Sequence, residues 1–97
     1  MVSLVCNEDV RMRRLGPGQG PGEFYWRGRS YRVSVTEEGR SVIRRRSGAL
    51  LRTQLYRVRT TTGMRCWLSY DEIRRLWRLE RLLPGLGGSN ERGDALV

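Results

Sequence analysis

Aromatic and β-branched residues alternate with arginines along Phe24-Tyr25-Trp26-Arg27-Gly28-Arg29-Ser30-Tyr31-Arg32-Val33-Ser34-Val35. A period of two marks a half-buried strand. With Gly28 supplying a turn in the middle, the segment predicts a β-hairpin. Phe24 and Trp26 fall on one face, Tyr25 and Arg27 on the other. On the returning strand Tyr31, Val33 and Val35 share a face, while Arg32, Ser34 and Thr36 point away. Glu37-Glu38-Gly39-Arg40 reads as a polar turn into Ser41-Val42-Ile43, and Arg44-Arg45-Arg46-Ser47-Gly48 as a strongly basic loop.

The alternation resumes downstream. Residues 50–62 read as a long strand with Tyr56, Val58 and Thr60 on one side and Leu55, Arg57 and Arg59 on the other. Thr62-Gly63 marks a turn, and Met64, Cys66, Leu68 and Tyr70 then alternate with Arg65, Trp67 and Ser69. Upstream, residues 2–6 have the composition of a short strand, which residues 10–15 extend or pair with. The four glycines and two prolines between 16 and 22 predict a loop. That loop lacks the Lys-Ser/Thr ending and following helix of a phosphate loop.

Residues 71–83 support two readings. Ile73, Leu76, Trp77, Glu80 and Leu83 match a helical stripe, with Ser69 as N-cap and Glu72 as its capping-box partner. A turn over 71–75 followed by a strand over 76–83 fits as well. Pro84-Gly85 ends the element in either case, and residues 84–97 read as a disordered tail. The expected fold is therefore a single small all-β domain over 1–83. It would be an antiparallel meander of five or six strands, curled into a half-barrel or SH3-like barrel. The alternative is α+β, with a helix over 71–83 packed across the sheet.

Charge adds a partner to this picture. The 97 residues carry 19 basic groups against 10 acidic ones, a net charge of +9, and every basic residue is arginine. A chain without lysine is what GC-rich coding produces, so the choice of arginine says less than the excess of positive charge. That excess favours a polyanionic partner, nucleic acid first. No apolar run approaches the roughly 18 residues that span a bilayer, and the first ten residues do not form a signal peptide. The expected setting is cytoplasmic, with no membrane partner.

Catalysis and metal binding are not expected. Histidine is absent, and Cys6 and Cys66 are isolated, so no zinc set can be assembled. Both cysteines sit among apolar residues as small hydrophobes do, and a Cys6–Cys66 disulfide would require an oxidising compartment. Glu8-Asp9, Glu37-Glu38 and Asp71-Glu72 lie in turn-like contexts and make no convincing catalytic pair. No cofactor is implied.

The function that remains is binding. Arg27, Arg32, Arg57, Arg59 and Arg65 would lie on a common sheet face or its rim. Tyr25 and Trp67 interleave with them as stacking platforms, and Arg44, Arg45 and Arg46 add phosphate contacts. Such a surface holds single-stranded nucleic acid by charge and by stacking, which contributes roughly 1–3 kcal/mol per base. The competing reading is a protein-interaction adaptor, homodimeric in one version, in which Tyr25, Trp67 and the arginines form an interface.

Three segments carry a resemblance: Trp26-Arg27-Gly28-Arg29 with Tyr31-Arg32-Val33, Tyr56-Arg57-Val58-Arg59, and Trp77-Arg78-Leu79-Glu80-Arg81. Together they resemble a small bacterial domain without an established activity, defined by a Trp-Arg-Gly-Arg-x-Tyr-x-Val hairpin, a Tyr-x-Val strand and a closing Trp-x-Leu strand. Similar segments end some inactive homologues of Y-family translesion polymerases, which implies a setting in DNA repair. The resemblance spans residues 24–83 and implies that Trp77-Arg78-Leu79 is a strand. It departs at 41–50, where the family has tryptophans and this chain has Arg44, Arg45 and Arg46, so no role of that connection carries over.

Overall fold

A computed structural model describes residues 4–13 and 20–84, with the side chain of Arg46 set aside. Six strands follow in order: β1 Leu4–Arg13, β2 Glu23–Trp26, β3 Arg29–Arg46, β4 Ala49–Thr60, β5 Arg65–Asp71 and β6 Leu76–Leu83. Each pairs antiparallel with the next, and β6 returns to pair with β1, closing the sheet into a small barrel. The all-β meander is as expected, and of the half-barrel and the barrel it is a closed barrel that forms. The expected tail, from residue 85 onward, lies outside the described residues, as does the 16–22 loop up to Gln19.

The helical alternative over 71–83 is corrected. Residues 72–75 form a turn and residues 76–83 a strand. The Asp71 carboxylate accepts backbone hydrogen bonds from Ile73 (2.9 Å) and Arg74 (3.1 Å), and the Arg75 N–H reaches the Asp71 carbonyl at 2.7 Å. Arg75 then takes a φ of 59°, which a right-handed helix cannot continue through. Ser69 caps nothing; it is buried on β5. Burial of Trp77 and Leu79, two positions apart, sets the period.

The interior is filled by Phe24, Trp26, Val58, Cys66, Leu68, Trp77 and Leu79. Tyr31 stacks on Phe24 at 5.3 Å, and Tyr56 and Tyr70 pack on Trp77 at 5.6 and 5.0 Å. β4 and β5 obey the alternation read from the sequence, although Thr53, Leu55 and Ser69 are buried on the outer face. Both cysteines are free thiols.

Of the two readings for the N-terminal segments, extension holds: the described residues of 2–6 and 10–15 belong to one strand, irregular between Val5 and Glu8, where Asn7 has a φ of 52°. Two expectations about the strands need correction. The turn expected at 37–40 does not exist, because β3 runs on through it with two β-bulges. Val33 pairs with Thr60 but Val35 with Arg59, so Ser34 is one extra residue and Val35 turns outward. Thr36 pairs with Val58 and Glu38 with Arg57, so Glu37 is a second. Lastly, Arg44, Arg45 and Arg46 lie in the strand rather than in a loop, and only Ser47-Gly48 turns. That turn has φ of 50° and 79°, close to the 51° and 76° of Arg27-Gly28. Positive φ at both central positions is the two-residue hairpin geometry that glycine permits.

One consequence positions much of the surface. β5 pairs with β4 only from Thr53 to Arg59, so residues 43–46 and 49–52 pair with each other alone. The β3–β4 hairpin therefore projects as a two-stranded ribbon, and the molecule is 48 Å long against 30 and 24 Å across.

Candidate nucleic-acid interface

Alternation puts Arg11, Arg32, Arg57, Arg59 and Arg65 on the outside, and closure of the barrel then divides them between different sides. Arg57, Arg59, Arg65 and Trp67 stand on the β4–β5 surface. Tyr25 and Arg32 stand on the β2–β3 surface, which continues onto β1.

The β4–β5 side is compensated from within. The bulge at Glu37 swings an extra carboxylate over three cations. Arg65 donates to its Oε1 from Nε at 3.2 Å and Nη2 at 3.1 Å, Arg57 Nε lies 3.4 Å from the same oxygen, and Arg59 lies 4.0 Å from Oε2. The Arg57 Nε–H is buried and lacks hydrogen-bond geometry to any acceptor, so its contact with Glu37 is one of charge alone. Glu38 approaches Arg57 at 3.3 Å and Arg40 at 3.7 Å. Trp67 is covered as well, with the guanidinium carbons of Arg40 and Arg57 at 5.4 and 5.7 Å from its ring centre. A ring with cations already on it is a poor platform for a base.

Arg27 and Arg44 are also engaged. Arg27 donates to Glu8 from Nε (3.1 Å) and Nη2 (2.6 Å) and lies over Trp26, whose indole N–H donates to the same carboxylate at 2.9 Å. These bonds, that from Arg27 foremost, hold Glu8 below the usual carboxylate range. Arg44 reaches from the ribbon to β6 and grips Glu80 through two bonds of 3.0 Å. Burial opposes ionisation of Glu80, but hydrogen bonds from Arg44 and Ser69 and the charges of Arg44 and Arg78 outweigh it and lower its pKa. The clamp closes a groove of about 180 Å³ bordered by Arg40, Leu55 and Trp67.

The β1–β3 side differs. Arg11, Tyr25 and Ser30 stand opposite one another in one cross-strand row, and Arg13, Glu23 and Arg32 in the next. Tyr25 is 54% exposed. Glu23 accepts from Ser30 at 2.7 Å and is 3.9 Å from Arg13, while Arg11 and Arg32 are exposed and have no ion-pair partner among the described residues. Arg29, beside the turn, is in the same condition. Arg11 and Arg29 were absent from the sequence-derived site. The Val10-Arg11-Met12-Arg13 alternation contained the signal for Arg11, but the pairing of β1 with β2 was needed to set it beside Tyr25.

Arg45 is exposed on the ribbon, and the side chain of Arg46 lies outside the described residues. Among the described residues no three His, Cys, Asp or Glu side chains gather as metal ligands, and no helix is long and apolar enough to cross a membrane.

No curated protein and no solved structure matches the chain, and nothing in these comparisons ties it to translesion polymerase homologues. Residues 2–83, which include every strand described above, match the family model of a domain of unknown function, DUF6504, and the chain belongs to that family.

Proposed function

We propose that the protein is a non-catalytic module that binds single-stranded nucleic acid on its β1–β3 face. The observation that carries this reading is Tyr25, an exposed ring flanked by Arg11 and, one row on, Arg32, neither with an ion-pair partner among the described residues. Cross-strand neighbours stand about 5 Å apart, close enough for one nucleotide to stack on the ring while its phosphates meet the arginines. The resemblance to the ends of inactive Y-family polymerase homologues suggests DNA repair as the setting. Arg57, Arg59, Arg65 and Trp67 leave the centre of the site, because carboxylates and neighbouring guanidinium groups already occupy them.

The test is a fluorescence titration with a labelled oligothymidylate at several salt concentrations. Affinity should fall linearly with log salt. Tyr25→Ala should weaken binding roughly 5- to 150-fold, the equivalent of one stacked base. Arg11→Gln and Arg32→Gln should each flatten the salt slope by about 0.7. Wild-type protein that binds no oligonucleotide at 50 mM salt would sink the proposal.

A further inference from the structure

The projecting ribbon presents a surface unlike the rest of the barrel. Its register places Ile43 opposite Arg52 and Arg45 opposite Leu50, all four on the face that continues from Gly39 and Tyr56. Ile43 and Leu50 are 60% and 63% exposed, and Arg45 and Arg52 are exposed without an ion-pair partner among the described residues. Residues 40–54 contain five arginines and no acidic residue. The opposite face is anchored, because Arg44 holds Glu80 there.

We propose that this ribbon is a groove-inserting element for duplex DNA. The inference shares with the function above only the premise that the partner is a nucleic acid. A two-stranded ribbon, about 10 Å wide with its side chains, fits a major groove of about 12 Å. Four residues per strand beyond the barrel give a reach of roughly 13 Å. Arg45 and Arg52 supply phosphate or guanine contacts, while Ile43 and Leu50 meet thymine methyl groups or wedge against a base step. The four-residue face has no aromatic ring, so it lacks the stacking platform that a single strand requires. Its charge excludes a basic partner, and its fixed anchor removes the ordering entropy that a floppy hairpin would lose on insertion.

The test uses the full chain with a labelled 20-base-pair duplex of mixed sequence, measured by anisotropy from 50 to 300 mM salt. Arg45→Gln/Arg52→Gln should flatten the slope of log affinity against log salt by about 1.8, two phosphate contacts' worth. Ile43→Ser/Leu50→Ser should weaken duplex binding at least fivefold with the slope unchanged. Binding of the oligothymidylate should stay within twofold in both variants, which separates failure of the ribbon from failure of the Tyr25 face. All four residues are exposed, so thermal midpoints should match the parent. Unchanged duplex affinity and slope in both variants would overturn the proposal. So would a dimer by light scattering that Ile43→Ser/Leu50→Ser dissolves without loss of duplex binding, since the ribbon would then serve a second copy of the chain.

Discussion

Replacing Glu37 with glutamine removes one charge from a site where three guanidinium groups converge, and leaves the shape nearly intact. The Glu37 and Arg65 side chains are only 18% and 19% exposed, so solvent screens their contact weakly. Charge-assisted hydrogen bonds contribute about 1.5–3 kcal/mol, and breaking a buried pair leaves an uncompensated cation that costs more. Glutamine still offers Arg65 a carbonyl oxygen, which offsets part of the loss. We expect Glu37→Gln to destabilise the fold by about 2 kcal/mol at 0.1 M salt. At roughly 4–8 °C per kcal/mol for a domain of this size, the melting midpoint should drop by about 8–16 °C. Glu38→Gln is the control. That carboxylate is 37% exposed, at 3.3 Å from Arg57 and 3.7 Å from Arg40, and its loss should stay below about 1 kcal/mol. Urea and thermal unfolding by circular dichroism would measure both, with Arg65→Gln added to complete a double-mutant cycle. A Glu37→Gln protein within 0.5 kcal/mol of the parent, or a coupling to Arg65 near zero, would refute the idea that one carboxylate holds this cluster together.

Acid should weaken the fold through Glu8 and Glu80, whose folded pKa values lie below the ordinary carboxylate value. On acidification the unfolded chain takes up these protons first. The stabilisation is complete above pH of about 4.3 and is lost as pH falls through the lower folded values. Urea midpoints should be nearly level between pH 7 and 5 and decline below about 4, and Glu80→Gln should flatten that decline. A midpoint still level at pH 3 would contradict the assignment. The two thiols should react unequally: burial pushes the Cys66 thiol up to about 12, whereas Cys6 is half-exposed. At pH 8 Ellman's reagent should label one cysteine quickly and the second only as the protein unfolds. Rapid labelling of both would mean that the barrel opens readily around β5.

Much of the barrel was legible because burial follows a period of two. Phe24 and Trp26, then Val58, Cys66 and Leu68, announce their faces without any tertiary information. The signal fails where an extra residue breaks the period. Glu37-Glu38-Gly39 has the composition of a turn, and only pairing with β4 reveals a bulge. The same limit applies to the site. Sequence gathers Tyr25, Arg27, Arg32, Arg57, Arg59, Arg65 and Trp67 by alternation, which says that they are outside but not on which side. Closure separates them, and ion pairing then distinguishes arginines with a carboxylate partner from Arg11, Arg29, Arg32, Arg45 and Arg52. Partner choice depends on long-range register, such as Arg44 reaching Glu80 across 36 positions.

The two extra residues in β3 also decide where the chain tolerates a change of length. Neither Ser34 nor Glu37 has a register partner in β4, so each is surplus to the ladder. Deleting Ser34 alone would make Val33 and Val35 neighbours in regular alternation and leave every pair beyond them, Ile43 with Arg52 and Arg44 with Leu51 included, on its present face. The anchor of the ribbon would stay where it is. Related sequences that keep this ribbon should therefore vary in length at these unpaired positions singly, and hold their length between Gly39 and Arg46, where every residue has a register partner and one deletion would turn the tip over.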